Sequence, residues 1–225
     1  MTHQPLNKMI NEPDPSRLIH GLRDTGYDFY TAAADIIDNS VSADANIINI
    51  LIEITSDGRK FVYFGDDGHG MDEDGLHNAM RYGAQIREDL ASLGKFGLGL
   101  KTASSSVCLK YSLISRTNLS SPLYKLTWDL EHVSDVNNWE MVDEPVSVDE
   151  QEVFEELCGN SGTLVVWSRC DRLLSKVYEE PGGTKEQAAI RYISNKLIEH
   201  CALIFHKYLN PSETGYRTIK IIVNG

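Results

Sequence analysis

No stretch of this 225-residue chain is apolar for long enough to cross a bilayer. The start, Met1 to Pro15, is polar and proline-containing and lacks the apolar core of a secretion signal, so it reads as a flexible leader. Cysteine is scarce. Cys108, Cys158, Cys170 and Cys201 lie far apart and form no CxxC pair, which argues against a zinc site. Their apolar surroundings mark them as reduced core residues, and a cytoplasmic location is expected. Basic residues are also in deficit, 21 Lys and Arg against 33 Asp and Glu, for a net charge of −12. Such a balance opposes general binding to a nucleic-acid backbone. Any phosphate site must then be local, built from backbone N–H groups, a helix N-terminus, a few lysines and a divalent cation. Internal repeats and low-complexity tracts are absent.

What remains is an ordinary globular composition, 41% hydrophobic and 24% charged, at a length that buries a sizeable core without staples. Helices are expected over Ser16 to Arg23, Tyr27 to Ala43, Asp72 to Met80, Gly99 to Val107 and Thr184 to Leu209. Isoleucine-rich Asn46 to Thr55 reads as a strand, joined through an Asp57-Gly58 turn to Lys60 to Phe64. Further strands are expected at Lys110 to Arg116, Leu123 to Asp129, Thr163 to Ser168 and Arg217 to Val223. The acidic stretch from Glu131 to Asn160 has little periodicity and reads as irregular. Paired strands with helices before, between and after them predict an α+β, two-layer sandwich with helices covering one face of a mixed, mostly antiparallel sheet.

Three segments carry chemistry. On the helix through Asp35, spacing i, i+3, i+4, i+7 puts Asp35, Asp38, Asn39 and Ser42 on one face. That stripe holds two acids and no basic partner, and the acids repel unless a cation lies between them. A hydrated magnesium ion with oxygen ligands meets that need. The bland alternative is a solvated acidic face. Next, Asp66-Asp67-Gly68-His69-Gly70-Met71 follows a strand. A carboxylate fixed there can accept a hydrogen bond from an exocyclic amine such as adenine's and discriminate against a base lacking it. An ordinary Asp-Gly turn or a loop calcium site has the same pattern, and His69 reads as exposed. Third, Gly94-Lys95-Phe96-Gly97-Leu98-Gly99-Leu100-Lys101-Thr102 has the form of a phosphate loop opening a helix. It is neither a Walker A loop, because Leu100 intervenes between Gly99 and Lys101, nor a GxGxxG dinucleotide loop.

In order and spacing these segments resemble the ATP site shared by gyrase, the heat-shock chaperone of that group, histidine kinases and mismatch-repair ATPases, the GHKL superfamily with its Bergerat fold. The chain is most similar to the microrchidia ATPases and their bacterial relatives. The likeness rests on ADIIDNS with a downstream SA, DDGHGM and GKFGLGLKTAS, plus Ser161-Gly162-Thr163-Leu164 opening a later strand, and spans about Tyr27 to Arg169. The resemblance implies that Asn39 binds magnesium and that Asp66 holds the adenine amine, with Thr163 assisting through water. It implies that Gly68, Gly70 and Met71 line the base pocket. Gly94, Lys95, Phe96, Gly97, Leu98, Gly99, Lys101 and Thr102 would wrap the phosphates, and Arg81 to Phe96 would be a lid. Asp35 stands where hydrolytic members usually carry glutamate as general base, and the family's acid three residues after the asparagine is Ser42 here, with Asp44 two further on.

The implied activity is magnesium-dependent ATP binding and slow hydrolysis, coupled to lid closure and an ATP-dependent homodimer. A nucleotide-gated switch with little hydrolysis is the alternative. A histidine-kinase module is a weaker one, since His20 lacks an acid-flanked setting. Nucleic acid would be engaged only through regions outside this chain, and no membrane is involved. The expected organisation is a leader at 1–15, a nucleotide-binding domain at 16–175 and the start of a transducer-like segment at 176–225, belonging to a longer protein.

Overall fold

The computed structural model describes residues 11–24, 26–83 and 98–225. The expected leader therefore lies largely outside the described residues. Helix α1 (Pro15–Arg23) starts where the Asp14 carboxylate accepts the Arg17 amide and proline takes the first helical position, where a missing N–H costs nothing. Helix α2 (Phe29–Ser42) starts in the same way on Asp28, which accepts the Thr31 amide at 2.7 Å. Strands β1 (Ile47–Ile54) and β2 (Lys60–Asp66) form an antiparallel hairpin that pairs Ile48 with Asp66 and Ile54 with Lys60. Then come α3 (Glu73–Met80), α4 (Gly99–Val107), β3 (Lys110–Arg116), β4 (Tyr124–Asp129), α5 (Leu130–Val136) and α6 (Val148–Leu157). Strand β5 (Gly162–Ser168), α7 (Thr184–Ile204), α8 (His206–Leu209) and β6 (Lys220–Val223) complete the order.

The six strands form one sheet in the order β4-β3-β5-β2-β1-β6. Every neighbouring pair is antiparallel except β1 with β6, which is parallel. This is the mixed α+β sheet expected from the pairing of strand segments. Alternate β1 residues Ile48, Ile50 and Ile52 are buried, the period of two that a strand needs to turn one face to a core. Onto that face pack Ala32, Ala33, Ile36 and Ile37 of α2 and Ala103 and Val107 of α4, against Val62, Phe64, Leu113 and Trp167. Each large aliphatic or aromatic side chain so buried contributes about 1.5–3 kcal/mol relative to exposure. The Trp167 indole N–H also donates to the Ser104 hydroxyl at 2.8 Å, fixing α4 to the sheet.

Three expectations need correction. The stretch from Glu131 to Asn160 is not irregular. Asp129 caps α5, and Ser147 and Glu150 form a reciprocal capping box at the start of α6. Helix α6 buries Phe154 and Cys158, four residues apart, against Ile114, Leu164 and Val166 on the second face of the sheet. The helical layer therefore lies on one face, and this helix adds a smaller cover on the other. The expected helix Thr184 to Leu209 ends at Ile204, and a single turn, α8, follows. The last strand starts at Lys220 instead of Arg217. Residues on both sides of position 176 contribute to one core. Ile190, Leu197, Cys201 and Phe205 join the main core, and β6 pairs with β1.

Helix α3 ends against two donors. The ammonium of Lys101 reaches the Ala79 carbonyl at 2.8 Å, and the Trp128 indole reaches the Met80 carbonyl at 2.9 Å. These are carbonyls that a helix end leaves without an intrahelical partner. The four cysteines are free and buried. Among the described residues no helix is long and apolar enough to cross a membrane.

Candidate functional site

Helix α2 presents its buried face, including Ser40, to the sheet. Its opposite stripe carries Asp35 and Asp38, both half-buried, and Asn39 and Ser42, both exposed, as the spacing predicts. The Asn39 side-chain N–H donates to the Asp35 backbone carbonyl at 2.8 Å. That bond fixes the amide and leaves Asn39 Oδ1 without a hydrogen-bond donor among the described residues. Burial, and then the neighbouring Asp35 charge, push the Asp38 carboxyl up to about 6. The stripe thus holds two carboxyl groups close together.

Asp66 ends β2 and is 4% exposed. Its Oδ2 accepts from the Ser40 hydroxyl at 2.9 Å and its Oδ1 from the Gly68 amide at 3.0 Å. It lies opposite Thr163 in the β2–β5 register. Burial raises its pKa, and the hydrogen bonds from Ser40, Gly68 and Thr163 oppose that rise. A carboxylate has about four acceptor positions, so these bonds leave capacity for a further donor. The adjacent Asp67 does different work. Its Oδ1 accepts the amides of Asn46 and Ile47, at 2.6 and 2.8 Å, and anchors the start of β1.

The turn after Asp66 is close-packed. Gly70 has φ +64°, and a Cβ there would lie 2.0 Å from the Arg116 carbonyl oxygen. Gly162 has φ +131°, and its Cβ would lie 1.8 Å from the Asp66 carbonyl oxygen. Only glycine fits either place. The Met71 amide donates to the Ser115 hydroxyl at 2.8 Å, and that hydroxyl donates to the Gly162 carbonyl at 2.7 Å, 3.0 Å from the Thr163 hydroxyl. Ser115 thereby ties Met71 to the Gly162-Thr163 pair. A single serine in a strand leaves no pattern in the sequence by which it could be found. His69 is exposed, as expected, with its ring nitrogen 2.7 Å from the Gly70 carbonyl oxygen.

Of the glycine-rich segment, Gly94, Lys95, Phe96 and Gly97 lie outside the described residues, with most of the expected lid. Leu98 is the N-cap of α4 and offers no side-chain bond, so the first amides of the helix are not satisfied by a cap. A Cβ at Gly99 would lie 3.6 Å from Asp35 Oδ2, which places the start of α4 against the acid of α2. The same Oδ2 accepts the Tyr27 hydroxyl at 2.8 Å. Burial, and then the hydrogen bond to Asp35, raise the pKa of that phenol, and the nearby Thr102 side chain opposes the rise.

Two expected phosphate ligands turn inward. Lys101 is 2% exposed, with its ammonium on Ala79, and burial pulls its pKa down to about 8. The Thr102 hydroxyl donates back to the carbonyls of Leu98 and Gly99, at 3.0 and 3.2 Å. The carbonyls at the end of α3 and in the first turn of α4 are nearby acceptors, and these donors have taken them. Helix α2 therefore connects the parts of the site: Ser40 reaches Asp66, and Asp35 reaches the start of α4.

A family model described as histidine kinase-, DNA gyrase B-, and HSP90-like ATPase matches residues 27–163. The chain belongs to this family. The matched span opens on Tyr27, the hydrogen-bond donor to Asp35, and closes on Thr163, the partner of Asp66 in the sheet. Among curated relatives of this ATPase family, Protein MICRORCHIDIA 3 of Arabidopsis thaliana is 35% identical over 77 residues, 32% of this chain and 13% of that protein. ATPase MORC2B of Mus musculus is 31% identical, and ATPase MORC2 of Homo sapiens 30% identical, each over 91 residues, 39% of this chain and 9% of the relative. The matched segment is thus a small part of each relative's length.

Proposed function

We propose that this domain binds ATP with magnesium and hydrolyses it slowly. The observation that carries the reading is the position of α2, whose adjacent residues Asn39 and Ser40 face outward to solvent and inward to the buried Asp66, while Asp35 meets the start of α4. Asp66 accepts the adenine amine, and the uncapped end of α4 faces the phosphates. The donor set suits magnesium. Such an ion takes one or two protein oxygens, several waters and the phosphates. Asn39 Oδ1 would hold the ion, with Asp35 and Asp38 supplying charge beside it. Bound there, magnesium would neutralise triphosphate charge. Asp35 accepts a proton from the attacking water as its oxygen bonds to the γ-phosphorus and the bond to the leaving ADP oxygen breaks.

A second reading has its own support. Asp35 is one carbon shorter than the glutamate usual at its place, and one of its oxygens is engaged by Tyr27. On that reading ATP closes the segment before α4 and favours a dimer, with little hydrolysis.

One sample tests both. Calorimetric titration with ATP and magnesium is followed by phosphate release, then by size measurement with ATP, ADP and a non-hydrolysable analogue. Binding with steady phosphate release supports the ATPase. Binding with equal size shifts for ATP and the analogue, and no phosphate, selects the switch. A chain that ignores adenine nucleotides removes both.

A further inference from the structure

Tyr27 belongs to no motif and precedes α2 by two residues, yet its ring packs on the main core and its hydroxyl makes the one side-chain hydrogen bond to the Asp35 carboxylate among the described residues. We infer that Tyr27 is the positioning residue of Asp35: its phenol clamps Oδ2 and so sets the rotamer that offers Oδ1 to water. The inference deepens the ATPase reading and rests on it.

An aspartate on a half-buried helix face still samples several rotamers, and a base must be held close to its productive place to be effective. Tyr27 donates to Oδ2 at 2.8 Å, and Gly99 closes on the same oxygen, with 3.6 Å from Oδ2 to a Cβ built there. Oδ2 is therefore enclosed by α4 on one side and by the phenol on another. Oδ1 has no hydrogen-bond partner among the described residues. The Asp35 backbone is fixed independently, since its carbonyl accepts from Asn39. The phenol is itself restrained, because its ring packs against the main core.

The test uses the 225-residue chain. Tyr27→Phe keeps the ring and removes only the hydroxyl. Expected are ATP affinity by calorimetry and KM within about twofold of wild type, an unchanged thermal midpoint, and kcat lowered about tenfold. In an Asp35→Asn background the same change should lower the residual rate no further, because the residue acts through Asp35. Tyr27→His, which keeps a ring and an N–H donor, should recover part of the rate, and it decides the matter if Tyr27→Phe does not fold. A kcat equal to wild type in the folded Phe variant, or a loss confined to KM, overturns the inference while the ATPase reading stands. Equal further loss in the Asn background also overturns it. A wild-type chain that binds ATP but releases no phosphate overturns both.

Discussion

The Ser40 hydroxyl donates to Asp66 at 2.9 Å, so the helix that presents Asn39 and the strand end that presents the buried acid are joined directly. Ser40→Ala leaves Asp66 Oδ2 buried without that donor. Losing a hydrogen bond to a buried charged group costs about 1–3 kcal/mol. Chemical denaturation should show a stability loss in that range, and calorimetry should show weaker ATP binding, since the carboxylate is no longer aimed.

Asp66→Asn replaces one of the two carboxylate oxygens with an N–H donor, which meets the adenine amine or the Ser40 and Gly68 donors. ATP affinity should fall by about a hundredfold or more. The fold should hold, because burial already disfavours the charge on this side chain. Calorimetry with a thermal melt on the same sample checks both, and near-normal binding in a folded variant would remove Asp66 from base recognition.

Asp35→Asn should keep ATP and magnesium binding within about threefold while phosphate release falls by two orders of magnitude or more. Turnover that survives would assign the water to another group.

Lys101 gives a pH dependence with a defined sign. Its pKa falls from 10.5 in an unfolded chain to about 8 in the fold, because of burial. Below pH 8 both states carry the proton and the cost of burying charge is fully present. Between 8 and 10.5 the unfolded chain binds more protons, so stability due to this residue rises with pH across that window. Urea midpoints of wild type and Lys101→Met, compared along that range, should shift steadily in favour of wild type. A constant difference would mean that the ammonium is not buried.

Gly162→Ala should be among the most damaging single-methyl changes in the molecule. Its Cβ would meet the Asp66 carbonyl at 1.8 Å, at φ +131°. A loss of at least about 3 kcal/mol is expected, with ATP binding lost alongside it because the same backbone supports Asp66. Denaturant midpoints and calorimetry measure the two effects.

Much of this was legible because it is local. Gly99–Val107 and Lys110–Arg116 begin and end where sequence pattern puts them, and the i, i+3, i+4 stripe of α2 faces as its spacing requires. What escaped depends on distant neighbours or on weak signals. Lys101 turns to a carbonyl 22 positions earlier in the chain, a partner no local rule supplies. Ser115 and Tyr27 act through single hydroxyls whose meaning comes from what packs beside them. Helix α6 was readable in principle, since Ser147 and Glu150 stand at capping-box spacing, but the surrounding acids masked Phe154 and Cys158. The end of α7 at Ile204 has no glycine or proline to announce it, and Pro211 comes only later.

The ammonium of Lys101 on the last turn of α3 has one more consequence. The chain leaves that helix at Met80 and enters the next at Gly99, and this contact staples the two ends together. Fixing two chain ends against each other carries an entropy penalty that grows with the logarithm of the residues between them. Here the contact between α3 and α4 has already met that penalty, so Lys101→Met should release both helix ends at once.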